Sequence, residues 1–205
     1  MSISIRWENV EGMRRLDNAM GLLSSHQKHL SLQRAVNHTG DKARTQVIRA
    51  LSAQTGLKRK VIVKAIRIGR AWGASSSETS FVDGRGSLEY VLSAKGGDIS
   101  LKHFAARETL KGVTAAPFGK RKLFARTFIK GGRFPNRVEA SGLNGHVYLR
   151  LGKGHGPLEL QDSGVIIPAE MIKGATADAF MRTVEAELPK RAMHEINRLT
   201  GGIFT

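Results

Sequence analysis

The stretch Gly152-Lys-Gly-His-Gly-Pro157 is the glycine-rich segment of the chain that comes nearest to phosphate chemistry. A phosphate loop needs Gly-x-x-x-x-Gly-Lys-[Ser/Thr] ahead of a helix, so that backbone N–H groups and a lysine converge on one anion. Neither that spacing nor a following helix is present. The stretch is expected to be a turn after a strand, with an unspecific backbone anion nest as the alternative. His26 and His29 stand three apart and can share a helix face, but no third ligand lies near them, so no metal site is expected. His146 and His155 read as surface or strand-edge histidines. Carboxylate chemistry is poorly supplied: Glu108 is the only acid between Asp98 and Glu139. No Asp-x-Asp, His-Glu-x-x-His or Gly-x-Ser-x-Gly occurs. A nuclease would have to draw on scattered acids such as Glu108 or Asp162. No catalytic, cofactor-binding or metal-ligating residue is assigned, and each acid is expected to serve as an ion-pair partner.

The chemistry that is abundant is cationic. Lys and Arg number 33 against 17 Asp and Glu, a net charge of +16, and such a field attracts polyanions. The charge is clustered. From Asp41 to Arg70 there are nine basic residues (Lys42, Arg44, Arg49, Lys58, Arg59, Lys60, Lys64, Arg67, Arg70) and one acid. From Phe118 to Val138 there are seven (Lys120, Arg121, Lys122, Arg126, Lys130, Arg133, Arg137) and no acid. Two clusters imply one extended surface or two faces. The segment Leu57-Lys-Arg-Lys-Val, after the Gly56 turn, has the look of a helix start in a helix-turn-helix. Its polar face is almost wholly Lys and Arg, which grips phosphate, and lacks the Asn, Gln or Ser that read base edges. Aromatic residues are 6% and do not interleave with the basic ones, so base stacking is not favoured. The candidate phosphate contacts are Lys58, Arg59, Lys60, Lys64, Lys120, Arg121, Lys122 and Arg126. An acidic protein partner is the alternative to nucleic acid. A membrane surface is not expected, because no basic helix carries a strong aromatic face.

The elements that would position these residues follow from periodicity. Residues 2–7 form a short strand. Residues 8–24 form a helix through Val10, Met13, Leu16, Met20 and Leu23. Residues 30–53 form a second, through Leu32, Ala35, Val36, Ala43, Val47, Ala50 and Leu51, stopped by Gly56. Thr55 is read as the cap of a third helix over 57–68, where Leu57, Val61, Ala65 and Ile68 make a helical stripe despite the β-rich Val61-Ile-Val. Residues 73–86 form a flexible loop. From residue 87 the period is two: strands are expected at 88–92, at 104–115 (one strand, or a pair broken at Gly112), at 122–130 and at 145–151, as an antiparallel meander. A last helix carries Phe180, Val184, Leu188, Ala192, Ile196 and Leu199, starts near Thr176 and is kinked or divided at Pro189. Helices, then sheet, then helix is an α+β order. With 205 residues the chain fits one domain, with 1–28 as a candidate N-terminal arm. The absence of cysteine excludes disulfides and thiolate sites. No signal peptide or membrane-spanning run is read.

In this order the segments resemble the minor tail protein Z and tail-completion family of tailed phages, from about residue 30 to residue 199. The likeness is carried by Ala35-Val-Asn-His and its helix, and by Thr55-Gly-Leu-Lys-Arg-Lys-Val-Ile. It continues in Ile99-Ser-Leu-Lys-His-Phe-Ala-Ala-Arg-Glu-Thr, Lys111-Gly-Val-Thr-Ala and Gly119-Lys-Arg-Lys-Leu-Phe-Ala-Arg-Thr-Phe-Ile. Further along stand Gly145-His-Val-Tyr-Leu-Arg, Leu158-Glu-Leu-Gln-Asp-Ser-Gly-Val-Ile-Ile-Pro and Glu187-Leu-Pro-Lys-Arg. The chain departs from the pattern at Arg126-Thr-Phe and Asp162-Ser-Gly. The resemblance implies an α+β fold with an antiparallel sheet packed on a long helix. It implies a virion structural protein at the head–tail junction without catalysis, made in the host cytoplasm and assembled as a homo-oligomeric ring, a hexamer, around the DNA channel. The expected neighbours are a tail terminator and a tail tube, with sequence-independent contact to genomic DNA. The alternative is a non-virion nucleic-acid-binding protein using the basic helical segment 41–70.

Overall fold

A computed structural model describes residues 2–5, 25–73, 87–152 and 156–199. The helix expected over 8–24, the loop at 74–86 and His155 lie outside the described residues. The elements in chain order are β1 (Ser2–Ile5), α1 (Ser25–Thr55), α2 (Arg59–Ala65), β2 (Ile66–Gly69), β3 (Tyr90–Ala94), β4 (Arg107–Thr109), β5 (Gly112–Ala115), β6 (Lys122–Ala125) and β7 (Thr127–Phe128). They continue with β8 (Gly131–Gly132), β9 (Arg137–Val138), β10 (Tyr148–Arg150), β11 (Leu158–Leu160), α3 (Ile167–Met171) and α4 (Gly174–Leu199). This is an α+β chain, and among the described residues every strand pair is antiparallel. The chain gathers into two compact units. One comprises Met1–Val47, Ile66–Ala94 and Met171–Thr205, the other Ile48–Ala65 and Lys95–Glu170.

The first unit is built on the N-terminal turns of α1. Leu32, Ala35, Val36, Ala43 and Val47 recur at three- and four-residue spacing and are buried. Their sheet has the order β1-β3-β2. The period-two pattern holds on the central strand β3, where Tyr90, Leu92 and Ala94 are buried. Tyr90 lies flat on the helix at Gly40: a Cβ there would come within 2.3 Å of the ring carbons. Glycine inside a helix costs about 1 kcal/mol relative to alanine, and here it makes room for a wholly buried aromatic ring. The Tyr90 hydroxyl donates to Asp41 Oδ1 at 2.9 Å, and Arg70 Nη2 holds both oxygens of the same carboxylate at 3.1 Å. Burial, and then the bond to Asp41, push the phenol well above its ordinary range. One turn earlier, Asn37 holds both backbone groups of Ala71: Nδ2 donates to the carbonyl and Oδ1 accepts from the N–H, each at 2.9 Å. The sheet is thereby packed on the long helix.

α4 buries Thr176, Phe180, Val184, Leu188, Ala192 and Ile196 in the expected stripe. It begins at Gly174, two residues before the expected start. It runs through Pro189 as one element, although proline leaves the Glu185 carbonyl without its helical donor. The stripe also contains an acid. Glu195 is buried with Arg191 Nη2 at 2.5 Å and Arg198 Nη2 at 3.2 Å, four residues before it and three after. Lys42 of α1 pairs with Glu187 of α4 at 2.5 Å.

In the second unit the strands form three small sheets, ordered β4-β5-β6, β11-β10-β7 and β8-β9, where one meander was expected. The strand expected over 122–130 is broken at Arg126, whose φ of 61° is left-handed and ends the ladder. Thr127 ties the two larger sheets together, its hydroxyl accepting from Val113 N at 3.1 Å and donating to Phe124 O at 2.7 Å. The pair expected within 104–115 is β4 and β5; it breaks at Leu110-Lys111, and Gly112 opens the second strand. The third helix is shorter than expected. The β-rich Val61-Ile-Val stays helical, as the stripe requires, but after seven residues Ile66–Gly69 leaves the helix to pair with the free edge of β3. Asp98 acts as a clamp on the stretch after β11, accepting from Ser163 N at 2.7 Å, Ser163 Oγ at 2.9 Å and Gly164 N at 2.6 Å.

Gly40→Ala should lower stability by about 2 kcal/mol in urea denaturation, because the added methyl overpacks against Tyr90. Helix propensity alone demands the opposite sign. Tyr90→Phe, which keeps the ring and removes the bond to Asp41, should cost about 1 kcal/mol.

Candidate polyanion-binding face

The face is organised by the end of α1. Thr55 closes that helix rather than opening the next: its hydroxyl donates to Leu51 O at 2.6 Å and accepts from Leu57 N at 3.3 Å. Ser52 Oγ donates to Leu57 O at 2.7 Å, and Gly56 N donates to Ser52 O at 3.0 Å. The chain reverses at Gly56 with φ +76°, a conformation glycine adopts without steric cost. The turn rests on a second turn, Pro117–Gly119. A Cβ at Gly56 would stand 2.7 Å from Gly119 N and 3.0 Å from Ala116 O. The basic run Lys58-Arg59-Lys60 begins two residues beyond one side of this contact, and Lys120-Arg121-Lys122 begins one residue beyond the other. The two basic runs therefore leave from turns whose backbones touch.

All eight candidate residues are exposed. Lys60 and Lys64 stand one helical turn apart on α2. Arg121 is partly engaged: its Nη1 donates to the carbonyls of Ala105 and Thr114 at 3.4 Å and to Thr114 Oγ1 at 3.2 Å. Arg126 follows β6 and opens on a different feature, a cleft beyond that strand. Among the described residues no ion pair involves any of the eight. Other members of the two clusters do have acids: Lys42 pairs with Glu187, Arg70 with Asp41, Lys130 with Glu139 and Arg137 with Glu108. Sequence clustering alone does not separate these structural cations from the unpaired ones.

Phe118 also belongs to this surface, although the sequence pattern does not mark it. It stands at the joint between the two runs, 36% exposed, with a left-handed φ of 55°. That conformation costs a side-chain-bearing residue about 1–2 kcal/mol. The signal available in the sequence is Pro117-Phe118-Gly119, an aromatic between turn formers directly before a basic run. It qualifies the expectation that no aromatic interleaves with the basic residues.

The residues considered for catalysis do not converge. Glu108 is taken up by Arg137 Nη2 at 2.6 Å, whereas Asp162 is exposed. Among the described residues no group of three or more His, Asp or Glu is placed to hold a metal ion. Gly152 and Pro157 lie in the link between β10 and β11, closed by Leu151 N donating to Pro157 O at 2.9 Å. Residues 153–155 lie outside the described residues. No helix among the described residues is long and apolar enough to cross a membrane.

His146, just before β10, is more than a strand-edge residue. The Lys102 ammonium can only donate, so Nε2 accepts from it at 2.7 Å, and Nδ1–H then donates to Ser100 Oγ at 2.8 Å. Burial, and then the Lys102 charge, hold His146 below its ordinary value of 6.5; burial, Lys102 and His146 do the same to His103. Each ring accepts a proton less readily folded than unfolded. Stability should therefore be full above about pH 6.5 and fall as the pH drops from there toward the folded values. The urea midpoint should be lower at about pH 5.5 than at about pH 7.5, and His146→Gln should flatten that dependence.

No protein-family model, no curated protein and no solved structure matches the chain.

Proposed function

We propose that the protein is a non-catalytic assembly component of a phage tail or neck, one that meets nucleic acid through phosphate contacts without reading sequence. The observation that carries the polyanion part is the meeting of Lys58–Lys60 with Lys120–Lys122 across the Gly56–Gly119 contact, with no acid paired to them among the described residues. Cations spread in that way neutralise a line of phosphates and cannot discriminate bases. The tail or neck part rests on the ordered resemblance of segments. An α+β chain whose sheet packs on a long helix agrees with what that resemblance implies. On this reading the protein forms a ring, a hexamer, in the virion beside a tail terminator and a tail tube, and its DNA is cargo.

The competing reading, a free regulator that inserts the helical segment 41–70 into DNA, has less support. That segment is the end of α1, a seven-residue α2 and the strand β2. The seven residues of α2 are Lys, Arg, Val, Ile and Ala, with none of the Asn, Gln or Ser that read base edges.

Two measurements test the proposal. DNA affinity should be independent of sequence and fall steeply with salt. Lys58→Gln with Lys120→Gln should reduce the slope of log K against log[salt] by about 1.8, at about 0.9 for each phosphate no longer neutralised. Binding that selects a sequence, or a slope unchanged in the double variant, would overturn the polyanion part. For the assembly part, light scattering or native mass spectrometry should give a ring of fixed stoichiometry. A strict monomer at high concentration would overturn it.

A further inference from the structure

A separate cationic feature lies within the second unit, beyond β6. The β4–β5 turn, the Arg126 break, β8, β9 and β10 surround a cleft of about 330 Å³. Five cations line it, Lys111, Arg126, Lys130, Arg137 and Arg150, and no acid does. Their commitments differ. Lys130 and Arg137 are paired with Glu139 and Glu108, which stand outside the lining. Arg137 also donates from Nη1 to Gly132 O, yet its Nε is buried without a partner among the described residues. Arg150 is oriented by the Phe128 ring, 5.5 Å from the guanidinium carbon to the centroid, and by donation from Nη1 to Gly156 O at 3.2 Å. Lys111 and Arg126 are exposed, and no acid pairs with either among the described residues.

Convergence distinguishes this place from the exposed face. Like charges gathered round one cavity repel, and an anion inside relieves every pair at once. Guanidinium groups suit the planar forks of phosphate oxygens. Gly131 and Gly132 contribute backbone without side chains to the wall, so an anion can approach it closely. Arg126 holds its left-handed φ of 61° with its N–H on Lys111 O at 3.1 Å, which joins the two uncommitted cations through the backbone. Backbone held in such a conformation is often found where a side chain must be aimed. The volume lies at the low end of ligand pockets and suits a compact anion.

We infer that this cleft is an oligophosphate-binding site, taking a run of two or three phosphate groups. The inference does not depend on the tail reading. The phosphates come either from a free oligophosphate or from the backbone of a nucleic-acid strand.

The test titrates the full chain, labelled with nitrogen-15, with tripolyphosphate and separately with a single-stranded oligothymidylate at one salt concentration. Tripolyphosphate should give saturable amide shifts centred on Thr127, Gly131 and Gly132. Arg126→Gly should weaken it about tenfold, as should Lys111→Ala. Arg126→Gly keeps folding out of the comparison, since glycine accepts the left-handed backbone. Lys58→Gln with Lys120→Gln should leave the tripolyphosphate affinity within about twofold, because it removes two cations of the exposed face and spares the cleft. If Arg126→Gly weakens both ligands alike, the source is a strand backbone; if it weakens tripolyphosphate alone, the source is a free oligophosphate. Shifts that do not saturate and follow every exposed Lys and Arg, or tripolyphosphate affinity unchanged in Arg126→Gly, would overturn the site. A cleft that fails while the double lysine variant still binds DNA less tightly would leave the exposed face standing, and the converse would spare the cleft.

Discussion

The approach of the Gly56 turn to Gly119 is the contact on which the charged surface of the second unit depends. It is a steric condition before it is an electrostatic one. Two backbone turns can lie within 3 Å of a would-be Cβ only where that Cβ is missing, and Gly56 also supplies the positive φ that reverses the chain. The side chains around it then finish the job locally. Ser52 and Thr55 close the helix end with their own hydroxyls, leaving Leu57 buried and the lysines and arginine after it in solvent. Two basic runs separated by some sixty positions in sequence become neighbours because their turns stack.

Bringing cations together costs free energy, and the protein has few acids with which to offset it. Where acids are used, they sit where the fold needs a fixed point. Asp41 receives both Tyr90 and Arg70 at the helix–sheet contact. Glu195 sits buried between two arginines of its own helix, an arrangement in which loss of one partner commonly costs about 3–5 kcal/mol. Glu108 steadies Arg137, and Asp98 gathers three donors at 163–164. Acids spent on structure cannot also screen the 58–64 and 120–126 segments. The surplus positive charge is thus placed by subtraction: it stands where the fold has no acid to give.

Much of this was legible in the sequence, for a physical reason. The long helix, the β3 strand and the last helix each bury one face, and burial imposes a period that a single segment reveals: Leu32 to Leu51, Tyr90 to Ala94, Phe180 to Ile196. The choice at 66–69 was not legible, because a four-residue segment takes its state from the partner that its edge finds, here β3. Nor were the two-residue strands β8 and β9, too short to show any period. Of the candidate site, the identities of the eight cations and their exposure-prone Lys and Arg chemistry were readable. Their adjacency was not, since it depends on Gly56 meeting Gly119. The clamp made by Asp98 is also invisible locally: its partners lie 65 and 66 positions away.

The two cationic features answer to different physics. On the exposed face each lysine is free to move and surrounded by water, so its attraction is long-ranged, weak at each phosphate and screened within about 8 Å at physiological salt. Around the cleft two of the five cations are paired with acids outside the lining, and one lies over the face of an aromatic ring. The three held side chains have less entropy left to lose if an anion binds. On the proposed reading the face would hold a long polyanion at any point along its length. The cleft demands that phosphates be presented within one small volume. Arg126 belongs by position to both: it follows directly on the exposed strand β6 and lines the cleft, and its left-handed backbone is what breaks the strand there. On the proposed reading, a residue placed so would let a phosphate chain held loosely along β6 be gripped at one defined point, which charge density alone does not provide.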